Sequence, residues 1–275
     1  MNAADAAATP QSPLLRGIFF DLDDTLIGYA EAERQALVAG CVLASHVNPA
    51  IDADALASAI YDAYERRYAY GTPGYADLAH VSVAELRGCL TADALETLGA
   101  GGDPVLVNTL VDAYEAAERA SLLRFPDAAE TLQALRPHFR LGLITNGPSR
   151  MQRAKLAALA LDACFDVIVV DTEFGHPKPD PRIFAHAANQ IGLAPAELLF
   201  VGNSLSADIA GACGAGWTSV WLPEVGAGRL GPDDPAPDHV ITRLSELLTL
   251  PRVAAALAAA REFRAVPSPS REKPA

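Results

Sequence analysis

Four short stretches of this 275-residue chain carry side chains suited to chemistry. FFDLDDTL sets Asp21, Asp23 and Asp24 within four positions at the end of an apolar run, and LGLITNG ends in Thr145, Asn146 and Gly147. GHPKPDPRIF contributes Lys178, and VGNSLSADIAGA contributes Asn203, Ser204 and Asp208. Carboxylates at that density repel one another unless a cation or a proton offsets them. A hard divalent cation such as magnesium, which prefers oxygen ligands, would do so. The Thr145 hydroxyl and the backbone N–H groups of Thr145 and Asn146 suit phosphate oxygens, and Lys178 suits negative charge that grows in a transition state. Asp21 is then a candidate nucleophile for phosphoryl transfer split into two covalent steps.

These groups must be positioned by strand ends. Leu15 to Phe20 is the first strand candidate. Between about residues 29 and 122 the apolar residues recur at three- and four-residue spacing in four runs separated by NPAI, GTPG and GAGG, which predicts four helices. From Phe125 the texture alternates. FRLGLITNG, FDVIVVDTEFG, AELLFVGNS, TSVWLP and HVI read as strands, while PDAAETLQALRP, PSRMQRAKLAALAL, PDPRIFAHAANQIG, SADIAGACGAG and RLSELLTL read as helices. Strands joined by helices of this length imply right-handed crossovers and a parallel sheet covered by helices. In such a sheet, ligands bind at the carboxyl ends of the strands, where all four chemical stretches fall. The fold class expected is α/β, with a Rossmann-like parallel sheet and an all-helical insert after its first strand. The domain limits expected are an extension over 1–14, a core of 15–27 and 123–250, an insert over 28–122, and a terminal helix with a disordered tail over 251–275.

Composition narrows the partners. A net charge of −13 argues against a polyanion such as nucleic acid, though one site can differ in sign from the whole. No apolar run approaches the roughly 18 residues of a membrane span. The start MNAADAAATPQSPLL lacks the basic and apolar segments of a secretory signal, so the expected location is cytoplasmic. Cys41, Cys89, Cys164 and Cys213 share no ligand spacing and read as buried free thiols. GACGAG does not open a helix after a strand in the dinucleotide pattern. His138, His176 and His186 have no partner spacing and read as surface or core residues; Trp217 and Trp221 read as packing residues.

Taken in order, the four stretches resemble the four motifs of the haloacid dehalogenase-like superfamily of phosphotransferases, and the insert resembles that family's helical cap. The resemblance covers roughly residues 15 to 27 and 125 to 250. It implies that Asp21 is the nucleophile, forming an aspartyl-phosphate. Asp23 would be the general acid and then the base, kept protonated by a nearby carboxylate and partial burial. Thr145, Asn146 and Lys178 would bind phosphate, with Thr145 and Lys178 also catalytic. Asp21, the Asp23 carbonyl, Asn203 and Asp208 would hold Mg2+. Asp24 and Thr25 would shape the turn. The fourth motif departs from the family at Asn203, where the usual residue is an Asp that ligates the metal, so negative charge is lost there.

The implied function is a magnesium-dependent phosphatase of a small phosphorylated metabolite, acting as a monomer or homodimer. The alternatives are a sugar phosphomutase, a weakly active or non-catalytic binding protein of the same fold, and a 2-haloacid dehalogenase. Dehalogenases resemble the core but lack an acid at the position of Asp23, because a halide leaves without a proton. Phosphonate cleavage calls for a cap lysine, and residues 28 to 122 contain none. Arg66, Arg67, Tyr68, Tyr70, Tyr75 and His80 gather around a Gly-Pro turn in the insert; most are expected to pack, with one or two touching a substrate.

Overall fold

The computed structural model describes residues 14–265 except 102 and 225, with side chains through residue 260; the rest of the N-terminal extension and the tail lie outside the described residues. One parallel sheet runs in the order β3 (Val167–Val170), β2 (Arg140–Thr145), β1 (Gly17–Phe20), β4 (Leu198–Gly202), β5 (Thr218–Trp221) and β6 (His239–Val240). The chain builds outward from β1 to β3, then returns to the other side of β1 for β4. The order therefore switches between β1 and β4, which opens a crevice at their carboxyl ends.

Alternation along the strands sorts their side chains to two faces. Ile18, Phe20, Leu141, Leu143, Leu199 and Val201 face one way, packing against Leu132 and Leu135 of α5 (Ala128–Leu135) and Val253 of α10 (Pro251–Ala265). Phe19, Ile144, Val169 and Phe200 face the other, meeting Trp217 and the apolar stripe Ile183, Phe184 and Ala187 of α8 (Pro181–Ile191). The Trp217 ring lies 5.0 Å from Phe19 and 5.5 Å from Phe184. Both faces are covered, as parallel sheets require.

Between β1 and α5 the chain forms α1 (Tyr29–Val47), α2 (Ala53–Tyr68), α3 (Val83–Thr97) and α4 (Pro104–Ser121), which pack around a core of their own. Their starts are legible. Asp52 accepts from Ala55 N, Ser82 and Glu85 form a capping box, and Asp103 precedes Pro104 at the first helical position. The chain leaves and re-enters the sheet side by side, with Phe125 N donating to Leu26 O at 2.9 Å and Gly28 N to Leu123 O at 3.0 Å.

Several sequence readings need correction. The third strand stops at Val170, and Asp171–Phe174 is a helical turn, α7, because the Asp171 carboxylate turns back to accept Thr172 N at 2.7 Å. RLSELLTL is a 3-10 helix, and SADIAGACGAG is a wide π turn before the short α9 (Ala210–Gly214). Of the cysteines only Cys41 is buried; Cys164 is half-buried, and Cys89 and Cys213 are exposed, so spacing alone did not fix their burial.

Gly142 pairs with Phe19 across the β1–β2 ladder, and a Cβ there would overlap the Phe19 ring. Both residues are deep in the core, so the ring cannot swing into solvent. Gly142→Ala is expected to destabilise the fold by about 1–3 kcal/mol through overpacking, measured by urea unfolding; an unchanged midpoint would show that the ring relaxes freely.

Candidate active site

At the crevice, the ammonium of Lys178 is shared by two carboxylates. Its Nζ donates to Asp21 Oδ1 at 2.5 Å and to Asp208 Oδ1 at 2.7 Å, and all three side chains are buried. Asp21 follows β1, Asp208 lies in the turn after β4, and Lys178 comes from the loop after β3. Each is fixed locally. Asp208 Oδ2 accepts Ser204 N at 2.9 Å, and Gly202 has no Cβ where one would collide with that carboxylate. Thr25 Oγ1 donates to Asp21 Oδ2 at 3.4 Å.

Asn146 grips the lysine loop from β2. Its amide donates to Lys178 O at 3.0 Å and its Oδ1 accepts Lys178 N at 2.9 Å, so its side chain orients Lys178. Gln152 of α6 (Ser149–Ala158) gathers the rest, its Nε2 donating to Thr145 Oγ1 at 2.5 Å and to Asp23 Oδ2 at 3.0 Å. Lys155, on the same face one turn on, donates to both Asp23 oxygens at 2.9 Å, and its Nζ sits 3.1 Å from the centroid of the Tyr29 ring. Asp23 thus touches an ammonium and an amide, with the Asp21 carboxylate near enough to act on it through charge.

The side-chain amide of Asn203 donates to Glu224 Oε1 at 2.9 Å, and its backbone carbonyl accepts the Trp221 indole N–H at 2.8 Å, which gives that packing residue a second task. Asp24 holds a left-handed backbone (φ 55°) and caps α1 from before its start, accepting Tyr29 N and Ala30 N at 3.0 Å. Of the residues around the Gly-Pro turn of the insert, Tyr75 reaches α7, its hydroxyl donating to Asp171, whose other oxygen accepts Gly147 N at 2.8 Å. Gln152, Lys155 and the Tyr75–Asp171 contact escaped the sequence reading. The first two carried one signal, a polar i, i+3 pair on a helix that directly follows a strand-end motif.

Burial pushes the Asp21 carboxyl up to about 7; Lys178 pulls it down, while Asp208 and Asp23 add to the rise. Burial opposes charge on Lys178, but Asp208 and Asp21 outweigh it and hold its pKa above the usual lysine value. Two carboxylates against one ammonium leave a buried excess of negative charge. The donors at the crevice are oxygens, and among the described residues no three His, Cys, Asp or Glu side chains converge on one point. That set fits magnesium, which is usually held by one or two carboxylates together with water and substrate phosphate, and it does not fit a metal needing a full protein cage.

A family model of haloacid dehalogenase-like hydrolases matches residues 15–216, and the chain belongs to that family. Its curated relatives include a glyceraldehyde 3-phosphate phosphatase of Methanopyrus kandleri, 31% identical over 87% of this chain and 98% of the relative. The human N-acylneuraminate-9-phosphatase is 29% identical over 86% of this chain and 93% of its own. Among solved structures, the 2-haloacid dehalogenase of Pseudomonas syringae aligns with a TM-score of 0.62 at 25% identity, covering 90% of this chain and 99% of that one. The fold is thus common to both chemistries, and side chains must separate them. Among the described residues no helix is long and apolar enough to cross a membrane.

The raised Asp21 value makes a signed prediction for metal-free protein. A carboxyl that binds its proton more tightly when folded stabilises the fold below its unfolded value of 3.8 and loses that contribution as pH rises through about 7. The stability of the wild type relative to Asp21→Asn is expected to fall across that window, read from urea midpoints in chelator. A constant difference would contradict the assignment.

Proposed function

We propose that the chain is a magnesium-dependent phosphatase of small phosphorylated metabolites, working through phospho-Asp21. The observation that carries this reading is the Asp21–Lys178–Asp208 cluster at the strand-order switch, beside an Asp23 aimed by Lys155 and Gln152. Phosphatase relatives over most of the chain support it, as does Asp23, the acid a dehalogenase does not need. The α1–α4 block is the cap, closing over the crevice to exclude bulk water.

An Asp21 oxygen attacks phosphorus, and the bond from phosphorus to the ester oxygen breaks. Asp23 passes a proton to the departing alkoxide, so the alcohol leaves neutral. Water then attacks phospho-Asp21, giving its proton to Asp23, and the acyl phosphate bond breaks to release inorganic phosphate and restore the carboxylate. Lys178 and the Thr145 hydroxyl bind the phosphoryl oxygens, with the backbone at Asn146 beside them. Asp21, the Asp23 carbonyl, Asn203 and Asp208 would hold Mg2+, which when bound neutralises charge on the transferring group. Asn203 adds no charge to that set, and its amide partner Glu224 brings a carboxylate to the same edge of the site.

Release of inorganic phosphate from a panel of monoesters with magnesium is the test. Asp21→Asn is expected to abolish it, and robust turnover by that variant would remove the nucleophile. Asp23→Asn is expected to lower kcat by roughly 10²–10⁴-fold, the usual worth of a proton-transfer group. Isomerised sugar phosphate with little free phosphate would identify a mutase instead. Asn203→Asp is expected to tighten magnesium binding, measured by calorimetry, because it adds a charge at a ligand position; unchanged affinity would place the metal away from Asn203.

A further inference from the structure

Above Asp23 a cavity of about 350 Å³ runs up between the four cap helices. Ligand sites are clefts of roughly 300–1,000 Å³, and an opening of this size that ends on Asp23 falls in that range. Leu56, Leu86, Leu90 and Leu110 line it with the rings of Tyr61, Tyr64 and Tyr114. Its charged groups are already spoken for or of one sign. The two cations in the lining are Arg87, bonded to Glu118 at 2.6 Å and lying 4.2 Å from the Tyr114 ring centroid, and Lys155, bonded to Asp23. The other charged lining residues are the carboxyls Glu33 and Glu65, and burial pushes the pKa of Glu33 up.

We infer that the substrate is a phosphomonoester whose leaving group is uncharged and mainly apolar, an alkyl or aryl group seated in this cavity with its ester oxygen over Asp23. The inference rests on the phosphatase reading and adds the substrate class to it. Among the described lining residues an anionic leaving group would meet carboxyls, and both cations already hold carboxylate partners. A polyhydroxyl one would lose water on walls made mainly of leucine side chains and tyrosine rings, where the tyrosine hydroxyls, Thr91 and the carboxyls replace only part of its hydration. An apolar group gains from leaving water, and scaling from benzene in a cavity of about 150 Å³ gives room for roughly a dozen carbons. That is the size of a naphthyl ring with a short linker.

Primary alkyl esters of similar leaving-group acidity separate recognition from reactivity. With magnesium, kcat/KM for hexyl phosphate and 2-(1-naphthyl)ethyl phosphate is expected to exceed that for ribose 5-phosphate and O-phosphoserine at least tenfold. Along ethyl, butyl and hexyl phosphate it is expected to climb by up to about fourfold per methylene. Ile60→Trp narrows the cavity and is expected to cut the ratio of naphthylethyl to ethyl phosphate efficiency at least tenfold; Val111→Phe gives the same readout if the first variant does not fold. Polar esters turned over as well as apolar ones, or a ratio unmoved in the folded variant, would overturn the substrate class and leave the phosphatase standing. No phosphate released from any ester would overturn both.

Discussion

One buried ammonium organises this protein. Lys178 meets Asp21 from 157 residues away in sequence and Asp208 from 30, and with side-chain exposures of 3%, 9% and 1% none of the three can turn to solvent instead. A buried ion pair is a poor source of net stability, since desolvation cancels much of its attraction. Removing the lysine would strand two carboxylates in the interior, so the loop after β3 has one tolerable position, and the Asn146 clamp, the Ser204 N–H and the bare Gly202 all serve to keep it there.

The sheet brings that ammonium and those carboxylates together because its order switches between β1 and β4. Asp21 and Asp23 then part company. Asp21 points to the buried cluster at the crevice, while Asp23 points to α6 and the mouth of the cap, where Lys155 and Gln152 receive it. A chain with two carboxylates in one environment would have two competing bases. Here one is held by the core lysine and the other by the α6 lysine, so the two can do different work on the two sides of one ester bond.

Among the described residues the helical block is tied to the rest of the chain by the Tyr75 hydroxyl on Asp171 and by Tyr29, which starts α1 and lies against Lys155. These ties place an aromatic and aliphatic cavity directly over Asp23. The cap's own core thus has a functional opening, and the helices that enclose it are fixed by ordinary caps and an ordinary apolar stripe, not by the chemistry below.

Much of this was legible in the chain. Runs of period two and period three to four gave the sheet and helices, because burial on one side of a strand or helix is written into side-chain spacing. Strand ends pointed to the candidate residues that the crevice brings together, because parallel sheets open there. What escaped was contact between side chains distant in sequence. The Asn146 side chain grips Lys178, a contact separate from the backbone N–H groups expected at phosphate; Asp23 has Asp21 nearby as expected and also meets Lys155; the Asn203 amide donates to Glu224. Three cysteines thought buried are not, since a thiol carries no mark of its depth. The sequence by itself determined most of the elements, their order and the family, which depend on local spacing and on motifs read in series, while the α7 turn and the π turn after β4 were not in that spacing. Only the tertiary structure decided which cation serves which carboxylate and how apolar the space above Asp23 is, because those depend on how elements cross in space, and pairing across 157 residues leaves no local trace.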